Sequence, residues 1–299
     1  LFDAVAKTGD VFTGGIVRAR DKNKRTLSFA AVAADGSDLG YYELDAELKL
    51  KRVDDPAVHT YTKKNAAIPT PAGILEVDDA SVIFTDDKGR RWRLPKGDPA
   101  LDQHPLGKHR IAREVATERD FFNAHGTFYE LPARNAGGFA KVRPVTTHNR
   151  LVHDFCSYRG LFIMSGISSH SPIDNPHIIR SDDGKTALWV GAIDDAWQLG
   201  KPRGEGGPWK NTPVKANTPS DPYLMTAYDQ KSLSITADKE VSITVEIDLT
   251  GDGHWSTYTT AGVTATTTFN HTFPDTFSAY WVRFRCDQNA TATATLKYQ

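Results

Sequence analysis

The chain has 299 residues, with 36 Lys and Arg against 37 Asp and Glu and a formal net charge of -1. Charges of both signs are interspersed, which excludes the basic footprint of a nucleic-acid binder, and no apolar run approaches the roughly 18 residues of a membrane-crossing helix. The length is enough for one large all-β domain or for two domains with ample core.

In chain order, the N-terminus Leu1-Phe2-Asp3-Ala4 lacks an initiator Met and a signal-peptide pattern, so it reads as a processed or truncated start. Short segments rich in β-branched and aromatic residues, bounded by Gly, Pro, Asp or Asn, predict strands over 25–34, 39–53, 81–94, 127–131, 139–145, 151–158 and 161–167. Residues 111–121 carry the nearest approach to a helical pattern, with Arg113-Glu114 and Glu118-Arg119, and predict one short helix. Cys156 sits among apolar neighbours in a predicted strand and reads as a buried free thiol rather than half of a bridge with Cys286. The run from Gly200 to Trp209 is dense in Gly and Pro, and Pro213, Pro219 and Pro222 follow, which marks a boundary. Beyond it the sequence alternates, as in Val241-Ser242-Ile243-Thr244-Val245-Glu246, the pattern of half-buried antiparallel strands. The predicted organisation is all-β, with a first domain over 1–210 and a C-terminal β-sandwich over 211–299.

One stretch is the most informative. Thr85-Asp86-Asp87-Lys88-Gly89-Arg90-Arg91-Trp92 follows a β-rich run and predicts a tight hairpin, in which Asp87 accepts turn N–H groups, Gly89 takes φ > 0 and Trp92 packs the turn on its sheet. It resembles the Asp-box of sialidase-like (BNR-repeat) β-propellers, where such a hairpin joins the two outer strands of each blade. A weaker form occurs at Ser181-Asp182-Asp183-Gly184, and Asp87 and Asp183 are 96 residues apart, two periods of 48. Turns at Asp35 and Asn135 fit the same spacing, the length of a four-stranded propeller blade. The resemblance implies about four blades in residues 1–210, part of a larger ring completed by a missing N-terminal segment, a second chain or a late strand.

The same resemblance places the candidate site. With 151–158, 161–167, 176–181 and 185–190 as successive strands of one blade, three loops emerge on the ligand face. They carry His148, Asn149 and Arg150; then His170 and His177; then Asp194, with Trp197 following. His148, His153, His177, Asp194 and Tyr129 are the catalytic candidates, since His titrates near neutral pH and a carboxylate serves as acid, base or nucleophile. Arg150, Asn149, His170, Arg143 and Trp197 are the substrate-binding candidates, as guanidinium forks hold anionic groups and indole faces stack on sugar rings. His148, His170 and His177 together offer a minority site for a divalent ion; otherwise no cofactor is expected. Asp248-Leu249-Thr250-Gly251-Asp252-Gly253 begins like a calcium loop but has Thr259 at its twelfth position, so it reads as a hairpin turn. The first functional expectation is a secreted or periplasmic glycoside hydrolase acting on carbohydrate, with no nucleic-acid or membrane partner. The resemblance to propeller enzymes also implies two alternatives, a uronate polysaccharide lyase using His, Tyr and Arg, and a non-catalytic glycan-binding propeller.

Overall fold

The computed structural model describes residues 16–18, 25–33, 36–65, 71–102, 110–116, 119–148, 150–167, 169 and 174–299, with 16–18 and 100 as backbone only. Asp35, Asn149 and His170 lie outside them. The described residues are all-β apart from one α-helix and a few 3-10 segments. The first strands are β1 (Ile16–Arg18), β2 (Leu27–Val32), β3 (Asp38–Leu44) and β4 (Leu50–Arg52), followed by α1 (Pro56–Asn65). Then come β5 (Leu75–Val77), β6 (Val82–Thr85), β7 (Arg91–Leu94), β8 (Ala112–Ala116), β9 (Arg119–Ala124), β10 (Thr127–Leu131) and β11 (Arg143–Thr147). A further group comprises β12 (Phe155–Tyr158), β13 (Leu161–Ile167), β14 (Ile178–Arg180), β15 (Ala187–Gly191), β16 (Gly204–Val214) and β17 (Tyr223–Leu224). The last are β18 (Lys231–Ala237), β19 (Val241–Asp248), β20 (Trp255–Val263), β21 (Phe269–Thr272), β22 (Trp281–Cys286) and β23 (Ala290–Tyr298).

Contacts divide the chain into two compact units that interleave along the sequence. One holds Leu1–Thr70, Asp98–Phe128 and His148–Gly200; the other holds Pro71–Gly97, Tyr129–Thr147 and Lys201–Gln299. Where the expected boundary near 210 separates consecutive domains, the chain instead passes back and forth between the two.

The first unit is built from small antiparallel sheets. Strands β1 to β4 form a simple meander. Its inner face supplies Leu27, Phe29, Tyr42, Leu44 and Leu50 to a core completed by Cys156, Ile163, Leu188 and Val190 of the β12–β15 sheet. Burial of each large apolar side chain contributes about 1.5–3 kcal/mol. The turn at Ser181 also covers the outer edge of β4: Leu50 and Ser181 form a parallel bridge, and the Asp182 N–H donates to Leu50 O (3.0 Å). Cys156 is a buried free thiol, and burial pushes its pKa up to about 12. Helix α1 starts where Asp55 accepts the Val58 N–H (3.1 Å) and Pro56 takes the first helical position.

Two sequence expectations are corrected here. Residues 111–121 are not helical: they form β8 and the start of β9, with Glu114 opposite Asp120 and Arg113 opposite Phe121. Burying Val115, Phe121 and Phe122 on the sheet outweighs the weak helical pattern. The strand order around the second Asp-Gly turn is β12-β13-β15-β14, so the last strand in sequence lies inside the sheet and β14 is the edge. The residues explain this. Ala187-Leu188-Trp189-Val190-Gly191 is buried throughout and needs cover on both faces, whereas Ile178-Ile179-Arg180 is only partly buried and carries a charge suited to an edge.

The second unit is a β-sandwich. One sheet has order β16-β23-β18-β21 and the other β20-β19-β22-β17-β7-β6-β5. The predicted alternation appears as regular burial along β18 and β23, and Trp209 of one sheet meets Phe284 of the other at 5.8 Å between ring centroids. The hairpin β6–β7 joins this sandwich through a parallel pairing of β7 with β17, so it is not a blade of its own. The segment expected as a strand from 139 is a 3-10 turn (Gly138–Lys141) before β11, and Asn135 lies in another (Arg134–Ala136). The turns at Asp87, Asn135 and Asp183 therefore occupy dissimilar places.

Within the Asp-box-like hairpin, Asp86 rather than Asp87 holds the turn. Asp86 accepts the backbone N–H groups of Lys88 (3.0 Å) and Arg90 (2.9 Å), the Arg90 side chain (2.8 Å) and the Trp92 indole N–H (3.1 Å). Burial pushes the Asp86 pKa upward, but the bonds from Trp92 and Arg90 outweigh it and hold the carboxyl below its ordinary value. Asp87 projects to solvent and pairs with Arg134 at 3.2 Å. Asp248 caps the β19–β20 hairpin by accepting four backbone N–H groups, from Thr250, Gly251, Asp252 and Gly253.

Candidate functional site

The strand exchange decides which candidate residues meet. Strand β13 is antiparallel to β12 and to β15, and β14 is antiparallel to β15. Hence β12 begins, and β13 ends, at one end of the sheet. The Tyr158–Leu161 turn, the start of β14 and the end of β15 all lie at the other. His148 and His153, which precede β12, are at the first end. His177, Asp194 and Trp197 are at the second. The shared face expected for His148, Arg150, His177 and Asp194 does not form, and His170 of the expected His148, His170 and His177 metal trio lies outside the described residues. Among the described residues, no group of three His, Cys, Asp or Glu side chains is placed to hold a metal ion.

His148 is 3% exposed and has both ring nitrogens engaged. The Arg150 N–H donates to Nδ1 (3.0 Å), so Nδ1 carries the lone pair; Nε2–H therefore donates to Asn123 Oδ1 (2.9 Å). Burial, with a smaller contribution from the Arg150 charge, lowers the His148 pKa to about 3. The ring is a neutral fastener between β9 and the 148–150 loop. His153 is also buried; its carbonyl accepts the Arg110 N–H (3.0 Å). The next residue, Asp154, is fully buried, with Arg110 Nε at 2.7 Å, Arg113 at 3.6 Å and the Phe155 N–H at 2.7 Å. Tyr129 and Arg143 belong to the other unit. Tyr129 is fully buried near Tyr223, Tyr228 and Tyr298, and Arg143 pairs with Glu130.

The second end of the sheet brings three predicted residues into one neighbourhood, organised by the 3-10 segment Ile193–Leu199. Trp197 is 38% exposed, the Arg119 guanidinium lies 5.0 Å from its ring centroid, and Phe121 meets it edge-on at 5.9 Å. Asp194, with its side chain 80% exposed, pairs with the same Arg119 at 3.2 Å. Asp195 turns inward and accepts the Ala192 N–H (2.7 Å). His177 stacks on buried Trp189 (4.9 Å, 17°) and donates from Nδ1 to Val190 O (3.0 Å). With Nδ1 carrying the proton, Nε2 of the neutral ring has the lone pair, the opposite tautomer to His148. Gly191 makes this packing possible: a Cβ there would stand 2.5 Å from Trp189 and 2.9 Å from both His177 Nδ1 and Asp195 Oδ2.

Sequence reasoning missed Arg119, whose partners lie far along the chain, and the cross-strand carboxylates Glu114 and Asp120. Burial first, and then the Glu114 charge, raise the Asp120 pKa. A helical reading of 111–121 hid that pair.

Among the described residues, no helix is long and apolar enough to cross a membrane. No protein-family profile and no curated protein sequence matches the chain. Among solved structures it has some likeness to PirA, at 16% identity over 32% of this chain and 84% of that one, with a TM-score of 0.19. A glycoside hydrolase family 43 arabinoxylan arabinofuranohydrolase from Bacillus subtilis, in complex with cellotetraose, is 12% identical over 95% of this chain and 77% of its own, with a TM-score of 0.20. A Bombyx mori GH32 β-fructofuranosidase in complex with sucrose is 10% identical over 95% and 78%, with a TM-score of 0.17. At these TM-scores no family is assigned.

Proposed function

We propose that this protein is a carbohydrate-active enzyme of the glycoside hydrolase class, with its glycan site around Ile193–Leu199. The observation that carries the reading is Trp197, an exposed indole braced by Arg119 and Phe121 with the carboxylate of Asp194 alongside. A sugar ring stacks on such a face while its hydroxyls bond to the charged pair, so apolar and polar recognition are combined at one spot. Asp194 supplies an accessible carboxylate, and His177 supplies a ring whose Nε2 can take and return a proton. Hydrolysis of a glycosidic bond needs only acid, base or nucleophile, and water, so the reading requires no cofactor. A polysaccharide substrate goes with a secreted or periplasmic location, and we propose that as well. The propeller assignment belongs to the same proposal: the β1–β4 meander and the β12–β15 sheet pack face to face as neighbouring blades would.

A second reading, glycan binding without cleavage, is favoured by one observation. Both carboxylates already have structural partners, Asp194 in Arg119 and Asp195 in the Ala192 N–H. A polysaccharide panel scored for binding, for reducing-end release and for the absorbance of unsaturated uronates separates the outcomes. Release abolished by Asp194→Asn supports hydrolysis, and binding without release supports the second reading. Uronate absorbance would turn the assignment to a lyase. A glycan bound equally by the protein and its Trp197→Ala variant overturns the site.

A further inference from the structure

The glycan site around Trp197 leaves unused one face of the seven-stranded sheet in the second unit. Across β20, β19 and β22 three rows of side chains line up: Trp255 with Asp248 and Trp281, Thr257 with Glu246 and Arg283, and Thr260 with Thr244 and Arg285. Residues opposite each other share a face, and so do residues two apart along β19, so all of these project to one side. The other side carries Ile243, Val245, Val282 and Phe284, each fully buried, and is the one packed inside the sandwich. Trp281 is covered at one corner, where its indole N–H donates to Ala140 O (2.8 Å). The rest of the face is open, with Thr257 and Thr260 exposed and Trp255, Arg283 and Arg285 partly so.

On this open strip the Arg283 guanidinium lies 4.2 Å from the centroid of the Trp255 ring and braces one side of the indole. No other aromatic ring among the described residues packs on Trp255. Arg283 Nε donates to Glu246 Oε2 (2.7 Å), and Arg285 donates to Glu246 Oε1 (3.0 Å). Glu246 is only 7% exposed, so one carboxylate fixes both guanidiniums from the sheet side. The Arg285 side chain is 40% exposed and makes that single bond among the described residues, which leaves N–H groups toward solvent. The combination repeats, from unrelated strands, what surrounds Trp197: an accessible indole, a guanidinium on its ring and a carboxylate paired with that guanidinium.

We propose that this strip is a second carbohydrate-binding surface, which holds a neutral glycan chain without cleaving it. A sugar ring covers the exposed part of Trp255, and its hydroxyls bond to Arg285 and to the threonine hydroxyls beside it. The ligand is neutral because, on the three rows, Arg283 and Arg285 meet Glu246 and Asp248, so no net charge remains to select an anion. It is a chain because the rows at Asp248 and Thr244 are four residues of β19 apart, about 13 Å, longer than one sugar ring. It is not cleaved because both carboxylates are committed: Glu246 to the two arginines and Asp248 to four backbone N–H groups of its hairpin. The inference extends the glycan reading but does not require Trp197 or any hydrolysis.

Affinity electrophoresis of the full chain tests this, in gels carrying xylan, mixed-linkage β-glucan, galactomannan or dextran, with polygalacturonate as the anionic comparison. All measurements are made in the Trp197→Ala background, so that failure of the site around Trp197 leaves this test intact. At least one neutral polysaccharide should retard that protein. Adding Trp255→Ala should weaken its affinity about tenfold, and adding Arg285→Gln about threefold. Unfolding midpoints within about 3 °C of the background protein show that each variant is folded. Arg285→Gln, at a half-exposed position, keeps the test decisive should Trp255→Ala not fold. Retardation by none of the neutral polysaccharides, or retardation that neither added variant changes, overturns the proposal. So does stronger retardation by polygalacturonate, which would make the ligand anionic. A dimer in sedimentation that dissociates on Trp255→Ala would make the strip an interface between copies and overturn it as well.

Discussion

His148→Gln separates a structural histidine from a catalytic one. His148 is neutral in the folded protein because burial and the nearby Arg150 charge hold its pKa at about 3. In the unfolded chain the ring titrates near its ordinary value of about 6.5. The folded pKa is depressed, so the unfolded state binds the extra proton and stability falls as pH drops through the window from about 6.5 to about 3. The loss is negligible at pH 7 and grows by about 1.4 kcal/mol for each unit below 6.5, reaching about 2 kcal/mol at pH 5.

The glutamine amide nitrogen can still donate to Asn123 Oδ1, but nothing replaces the Nδ1 lone pair that accepts the Arg150 N–H. The variant should therefore be less stable at pH 7 by about 1–3 kcal/mol, the cost of a buried donor left unpaired. Its pH dependence is the sharper readout. Equilibrium urea unfolding at pH 7 and pH 5 should show the parent losing about 2 kcal/mol more than the variant over that interval. Carboxylates held low in the folded state, such as Asp78 and Asp86, also destabilise it on acidification, but they do so equally in both proteins. Equal losses in parent and variant would refute the neutral, doubly bonded ring.

Three further outcomes follow from the same geometry. Trp197→Ala should reduce glycan affinity about tenfold or more in a binding assay while leaving the unfolding midpoint within about 3 °C, because the indole is a surface platform and not core. Gly191→Ala places a methyl against Trp189, His177 and Asp195 and should cost about 1–3 kcal/mol by chemical denaturation, together with loss of any activity that depends on His177. Asp86→Ala removes the acceptor for the turn and the Trp92 indole and should cost about 2–3 kcal/mol, whereas Asp87→Ala should change stability by less than about 0.5 kcal/mol.

Local chemistry made much of the fold legible. The alternation along 231–237 and 241–248, the buried thiol of Cys156, the turn before Trp92 and the core roles of Trp92 and Trp189 all follow from residue type and spacing. What stayed hidden depends on partners far along the chain. Asp86 and Asp87 are equivalent as turn formers, and only the Trp92 indole and the Arg90 side chain select the first. Arg119 earns a place in the site through Asp194 and Trp197, which no local pattern links to it. The start of α1 was passed over, although Asp55-Pro56 is a capping residue followed by the preferred first helical residue.

The arrangement of the site turns on one choice, which of two strands lies inside the β12–β15 sheet. In a simple meander the link from β13 to β14 would return at the end where β12 begins, and His177 would join His148. In the observed order β13 ends at one end of the sheet and β14 starts at the other, so His177 precedes β14 beside Val190. Strand β9 gives a ruler for the separation. Its first residue, Arg119, contacts Asp194 and Trp197, and Asn123 contacts His148. Four residues of extended chain span about 13 Å, which separates the contact of His148 from those of Asp194 and Trp197. The burial of Leu188, Trp189 and Val190 favours the order, because an edge position would expose the flank and one row of backbone groups of a strand with no polar side. The apolar run that builds the core is thus also what carries His177 to Asp194 and Trp197, so the packing of β15 and the composition of the candidate site are a single structural decision.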